Sequence, residues 1–176
     1  MNKEITDNDL NPAEKLSASP EAFVEAMAAA AFGVSIVTTD GEAGRFGLTV
    51  SAVSSVSAEP PLLLASINRK NLIENAITQN RRFVVSFLST EQAALAQIFA
   101  GRPSHGAAYD FAAAKWSEEN GMPMLQEAAA NFVCELESYI DAGTHRIFIG
   151  RVVHAMHSGP SPLVYSSRSF GKFTKV

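Results

Sequence analysis

Phe46-Gly47-Leu48-Thr49-Val50-Ser51-Ala52-Val53-Ser54-Ser55-Val56-Ser57 is the stretch on which the fold turns. Successive side chains of a strand point to opposite faces. One alternate set is Phe46, Leu48, Val50, Ala52, Ser54 and Val56, mostly apolar. The other is Gly47, Thr49, Ser51, Val53, Ser55 and Ser57, mostly glycine and short hydroxyls. The run predicts one long strand with a core face and a small, polar face. Two readings suit that polar face. It can be solvated, since Ser and Thr are common there. It can also be a wall approached by a flat polar ligand, because small side chains let a ring system reach backbone N–H groups.

Upstream, Asp40-Gly41-Glu42-Ala43-Gly44 reads as a hairpin turn and Val34 to Thr39 as a β-branched strand. Ser19-Pro20-Glu21 opens a helix with a Ser cap, a Pro at the first position and an acid in the first turn. That helix is expected to reach about Ala31. Residues 1–18 have no hydrophobic period and are expected to form a flexible N-terminal arm, leaving one domain over residues 19–176.

Downstream, Pro60-Pro61 breaks the strand and Leu62 to Ile67 is a nearly all-apolar run. Asn71 to Gln79 reads as a capped helix, Arg82 to Leu88 as a strand, and Ser89 to Phe99 as a second capped helix. Residues 101–125 read as a long loop, a length often used for binding. Asn131 to Asp141 and His145 to His157 are strands joined at Gly143. Leu163 to Ser166 and Ser169 to Phe173 are short extended pieces. Seven or eight strands in hairpin-like order, without βαβ repeats, predict a closed or partly closed antiparallel barrel with short helices at its edges.

Composition limits the function. The chain has 176 residues, enough for one core without staples. Net charge is −4, so there is no basic footprint for nucleic acid. Charged residues are 18%, below the roughly 25% usual in soluble domains, which leaves surface for a subunit interface or an apolar ligand. The single cysteine, Cys134, excludes an intramolecular disulfide and suits a reduced, intracellular setting. The polar start MNKEITDNDLNPAEK is no signal peptide, and the longest nearly uncharged apolar stretch, Ala26 to Val37, is far short of the roughly 20 residues that span a bilayer. A cytoplasmic protein is expected.

Motifs exclude more. There is no G-x-G-x-x-G, Walker loop, G-x-S-x-G or H-E-x-x-H. His154 and His157, three apart on a strand, point to opposite faces, and no metal site is expected. Two loops remain of interest. Ser66-Ile67-Asn68-Arg69-Lys70-Asn71 ends a strand, adds two cations and starts a helix, as an anion site would. Phe99-Ala100-Gly101-Arg102-Pro103-Ser104 offers another cation and hydroxyl. Each is equally compatible with a capped helix and solvated cations; together with the hydroxyl face they suit a flavin, a flat ring with a phosphate at one end.

At these residues the chain resembles the flavin reductase-like family, the small reductase components of two-component flavin monooxygenases. The resemblance rests on Phe32-Gly33-Val34-Ser35-Ile36-Val37-Thr38-Thr39, on Phe46 to Ser57, and on Pro60-Pro61-Leu62. Phe99-Ala100-Gly101-Arg102, Gly143 to Gly150 and Pro162-Leu163-Val164-Tyr165 are similar to later motifs of that family. It implies a mainly β, FMN-binding split barrel, antiparallel, six- to eight-stranded and Greek-key, and a homodimer. It also implies reduction of FMN or FAD with NADH or NADPH, and a partner monooxygenase that receives the reduced flavin. Carried onto this sequence, Thr49, Val50, Ser51 and Ala52 face the flavin ring, and Ser55 and Ser57 lie near it or the ribityl chain. Ser66, Asn68 and Asn71 hold the ribityl–phosphate end, with Arg102 and Ser104 helping from the other loop. His145 helps place the nicotinamide, and Arg168 and Phe170 lie near the flavin. Two positions depart from the pattern: Thr144 stands where the family usually has Asp, and Asn71 where it usually has Ser or Thr.

Hydride transfer between two cofactors asks the protein to stack flat rings about 3–3.5 Å apart, and requires no side-chain nucleophile. Other readings on the same barrel are a reductase with tightly bound flavin acting on a corrinoid cobalt centre or a metal chelate, a flavin-binding module without turnover, and a structural barrel. The strand at 145–157 supplies its own argument for a dimer. Both of its alternate sets carry apolar residues, and a single barrel covers one.

Overall fold

The computed structural model describes residues 18–175. Helix α1 (Pro20–Ala29) starts where the sequence places it, with the Ser19 hydroxyl accepting the Ala22 N–H at 3.1 Å. Strands β1 (Phe32–Gly33), β2 (Ser35–Thr39), β3 (Phe46–Val50), β4 (Val53–Ala58) and β5 (Pro61–Asn68) follow. Helix α2 (Leu72–Asn80), strand β6 (Arg82–Phe87), a 3₁₀ turn at Thr90–Gln92 and helix α3 (Ala93–Phe99) come next. After a 3₁₀ turn at Phe111–Ala113 lie β7 (Trp116–Glu119), β8 (Met122–Leu125), β9 (Ala130–Ala142), β10 (His145–His157), β11 (Leu163–Ser166) and β12 (Ser169–Lys172).

Seven strands form one antiparallel sheet in the order β3-β2-β6-β9-β10-β5-β4. Its two edges, β3 and β4, are neighbours in the chain, joined only by Ser51-Ala52. So short a link forces the sheet to curl until its edges meet. The Ser66 N–H of β5 donates to the Ala52 carbonyl at 2.9 Å, which extends the β4–β5 ladder one rung beyond Val53–Ala65 and up to the link. The molecule is the expected antiparallel split barrel. Two small sheets accompany it, β1-β11-β12 and β7-β8.

The barrel interior is filled by Val37, Ile67, Phe83, Val85, Leu136 and Phe148, with Ile73 and Ile77 of α2 plugging one end. Full burial of each such side chain contributes about 1.5–3 kcal/mol. A second core lies outside the barrel, where Ile36, Leu88, Leu95, Phe99 and Leu163 meet. All five residues of β2 are buried because the strand separates these two cores. Among the described residues, no helix is long and apolar enough to cross a membrane.

Three expectations change. The stretch 46–57 is two strands, not one, and its bend at Ser51-Ala52 reverses the alternation. Val50 packs into the interior from β3, and Val53 does so from β4. The hydroxyl set is therefore not one wall. Residues 101–125 are not all loop: Met122 to Leu125 are buried in a hairpin turned at Asn120-Gly121, whose φ values of 53° and 72° are those of a tight hairpin turn. Finally, α1 stops at Ala29, and Phe32-Gly33 pairs with β11. The arm expected over 1–18 lies, but for Ala18, outside the described residues.

Candidate functional site

A cleft of about 700 Å³ opens beside the barrel closure. The end of β3, helix α3, the loop after it and the β11–β12 hairpin form its walls. Each wall is fixed locally. The Thr49 hydroxyl donates to the Ala96 carbonyl at 2.8 Å, which ties β3 to α3. Gly101 ends α3 with φ at 74°, and the Arg102 N–H donates to the Gln97 carbonyl at 2.9 Å. That reversal brings Arg102, Pro103 and Ser104 to the cleft. On the opposite wall, Ser167 and Arg168 both take positive φ in a two-residue hairpin turn. The Tyr165 and Phe170 rings pack edge-on behind that turn with centroids 5.4 Å apart.

Seven of the expected site residues line this one cleft: Thr49, Val50, Ser51, Arg102, Ser104, Arg168 and Phe170. Gln97, Tyr165 and Ser169 line it too, and sequence reasoning missed them. Gln97 carries no local signal, since a single amide on a short Ala-rich helix reads as a solvated face. The remaining expected residues do not line it. Ala52 lies in the β3–β4 link and its carbonyl accepts the Ser66 N–H of β5. Ser55 is exposed on β4, and the Ser57 hydroxyl accepts the Glu59 N–H at 3.1 Å. Ser66 and Asn68 run along the outer face of β5, opposite Ile147 and His145. The Asn68 side chain accepts the Lys70 N–H at 2.9 Å, and the Asn71 side chain accepts the Ile73 N–H at 3.2 Å as the cap of α2.

His145 opens β10, with its Nδ1 2.9 Å from the Thr144 hydroxyl. Beside it, Arg146 reaches Glu74 and Asp141, each at 2.6 Å, and lies 4.1 Å over the Tyr139 ring. The hydrogen bonds from Arg146 hold the Asp141 carboxyl below its ordinary range. Arg146 and Glu74, with Asn68, Arg69, Lys70, Gly143 and Thr144, border a second hollow of about 430 Å³; His145 is not among its lining residues. The β3–β4 link connects the two: Ser51 lines the cleft, Ala52 bonds to Ser66, and Asn68, two residues further along β5, borders the second hollow.

The chemistry of the cleft is that of a binding site. Its apolar side presents Val34, Ala96, Ala100 and the two aromatic rings; its polar side presents Ser51, Gln97, Arg102, Ser104 and Arg168. Donors predominate, which fits a flat ligand rich in acceptor oxygens and carrying an anionic group. Cys134 is no nucleophile here: it is fully buried in the barrel core, and burial pushes its thiol up to about 12. Of the two histidines weighed as metal ligands, His154 is half-buried and His157 exposed.

Residues 27–174 match the family model described as the flavin reductase like domain. A relative named "FMN reductase (NADH) RutF", from Enterobacter cloacae subsp. cloacae, is 39% identical over 153 residues, covering 85% of this chain and 92% of its own. Among solved structures, flavin reductase PheA2 in its native state superposes with a TM-score of 0.82 at 30% identity, covering 90% of this chain and all of the other. The styrene monooxygenase flavin reductase of Pseudomonas putida S12 superposes with a TM-score of 0.77 at 28% identity, covering 88% of this chain and 98% of the other.

Proposed function

The chain belongs to the flavin reductase-like family, and from that premise we propose that it is an NADH-dependent flavin reductase. It reduces FMN, or FAD in its place, and hands the reduced flavin to a partner monooxygenase. The observation that carries this reading is the cleft at the barrel closure, where Thr49, Val50, Ser51, Arg102, Arg168 and Phe170 converge. The names of its relatives, an NADH-dependent FMN reductase and a monooxygenase reductase component, support the same reaction.

A flavin held there supplies the redox chemistry, accepting hydride from NADH. The protein supplies binding and orientation. The Thr49–Ala52 backbone and the Ser51 hydroxyl face the ring, and Phe170 walls the cleft. Arg102, Ser104 and Arg168 meet acceptor oxygens from the loop side. Ser66, Asn68 and Asn71 serve the ribityl–phosphate end from the far side of the closure, with Ser55 and Ser57 on the neighbouring β4. His145, opposite Asn68, helps place the nicotinamide. Dependence on NADH fits a cytoplasmic setting.

We also infer a homodimer. On the outer face of the barrel Leu62 and Leu64 of β5 lie opposite Arg151 and Ile149 of β10, and Ile147 lies opposite Ile140 of β9. Leu62, Leu64, Ile147 and Ile149 are half-exposed and Ile140 is 59% exposed, although Phe148 between them is fully buried on the inner face. A second copy covers this stripe.

Desalted protein is to be assayed for NADH oxidation with and without added flavin. Turnover that requires added FMN and rises with its concentration is expected, with flavin as a substrate. Turnover without added flavin would mean a prosthetic group and another electron acceptor. No oxidation of NADH or NADPH with either flavin would overturn the reductase reading.

A further inference from the structure

The Gln97 side chain lines the cleft between the closure and the Arg102 loop. Its orientation is set. The Ser104 hydroxyl donates to Gln97 Oε1 at 3.0 Å, while the Gln97 carbonyl accepts the Arg102 N–H at 2.9 Å. The loop is thus folded around this one residue, by its backbone and its side chain together. An amide whose oxygen is held on one side turns its NH₂ group to the other. Among the described residues Gln97 Nε2 has no hydrogen-bond partner, on a side chain that borders the cleft beside Ser51 and Arg168. An amide aimed and held in this way is worth two donors to whatever fills the space.

We propose that Gln97 is a flavin-binding residue, its Nε2 donating to an acceptor oxygen of the flavin, with Ser104 as its positioning residue. The inference rests on the flavin reading of the cleft and adds a ligand to it. A neutral donor here complements Arg102 and Arg168: it recognises an oxygen without adding a third positive charge, and it is pre-organised by Ser104 so that little is lost in ordering it. The oxygen is either a ring carbonyl or the phosphate, and the two can be told apart because riboflavin has the ring and lacks the phosphate.

Gln97→Glu isolates the donor. A carboxylate still accepts from Ser104, so the loop is kept, but its second oxygen faces the ligand where an N–H stood. Dissociation constants for FMN and riboflavin are to be measured by fluorescence titration for the wild type, Gln97→Glu, Ser104→Ala and Ser104→Thr. The expected result for Gln97→Glu is about tenfold to a hundredfold weaker binding, the range for a hydrogen bond replaced by opposed acceptors. Equal weakening for both ligands places the bond at the ring; weakening confined to FMN places it at the phosphate. Ser104→Ala, an exposed site expected to leave the fold intact, weakens binding less, and Ser104→Thr restores it. Unchanged affinity in both Gln97→Glu and Ser104→Ala, with wild type binding FMN, overturns this inference alone. A wild type that binds neither flavin overturns the flavin reading and this inference with it.

Discussion

His145 is held less by its own bonds than by its neighbours. The Arg69 N–H donates to the Thr144 carbonyl at 3.0 Å, and Arg146 is clamped between Glu74 and Asp141, so the turn that carries His145 is tied to α2 on one side and to β5 on the other. Among the described residues the ring's hydrogen bond is to the Thr144 hydroxyl, at 2.9 Å, and the residue is exposed. Thr144, unlike an aspartate, can either donate to or accept from Nδ1, so it fixes the ring without adding charge. Loss of the imidazole should therefore leave the fold and the flavin cleft unchanged and cost one contact to the nicotinamide. His145→Ala is expected to lower kcat/KM for NADH about tenfold, the worth of about one hydrogen bond, while the FMN dissociation constant stays put. Unaltered steady-state constants for NADH would remove His145 from the site. Ser51 and Arg168, which their motifs single out, line the cleft, whereas His145 does not. Asn68 and Asn71 show the limit at this scale. The sequence marks Asn71 as a helix cap, which its bond to the Ile73 N–H bears out, but only the fold shows that the Asn68 oxygen serves a turn.

Among the elements, β10 shows why a local pattern can be read and its partner cannot. Its 13 residues follow the expected bounds, because alternation is a local property. Gly150 in its middle is unexplained by that pattern. In the barrel, a Cβ there would stand 2.5 Å from the Phe83 ring and 2.8 Å from Cys134 Cβ. Phe83 belongs to β6, and no reading of residues 145–157 could supply it. Gly150→Ala is expected to destabilise the protein by about 1–3 kcal/mol, the usual cost of overpacking a filled core, measured as a lower midpoint in urea with an unchanged slope. A midpoint equal to wild type would mean that the ring moves aside at no cost. Gly47 repeats the lesson at the site itself: the ring that comes close to its backbone is Phe99, at 2.5 Å from a built Cβ, and not a ligand. The stretch 46–57 is two strands for the same non-local reason, since Ala52 and Val53 pair with Ser66 and Ala65 of β5 while Val50 pairs with Ser35 of β2. The hairpin at 116–125 is different: Asn120-Gly121 is a local turn signal, and the glycines and prolines around it give the whole stretch the composition of a loop.

For the whole molecule, the question is what covers the outer face of β5, β9 and β10. The inner face of the same strands carries Ala65, Ile67, Leu136 and Phe148, all buried, so the fold of one protomer does not depend on the outer stripe. The stripe also runs into residues proposed for the flavin and nicotinamide: Ile147 lies opposite Ser66 and His145 opposite Asn68, in consecutive outward rows of the same ladder. A second copy seated on Leu64, Ile147 and Ile149 would therefore wall the open side of the Ser66–Asn68 track. Dimerisation and flavin affinity should then fall together. Ile147→Glu places a carboxylate in the centre of that face, where burial without a partner costs several kcal/mol in the dimer and far less in an isolated protomer, in which the residue is half-exposed. Light scattering is expected to show a dimer for wild type and a monomer for Ile147→Glu. The variant should keep the wild-type circular dichroism spectrum, because residue 147 faces away from the core. Its FMN affinity and NADH oxidation should drop by about tenfold or more, as for loss of one wall of a site. A wild type that is monomeric at micromolar concentration would end the dimer proposal. A monomeric Ile147→Glu with full activity would separate the two, leaving the outer face as an interface with no part in the site.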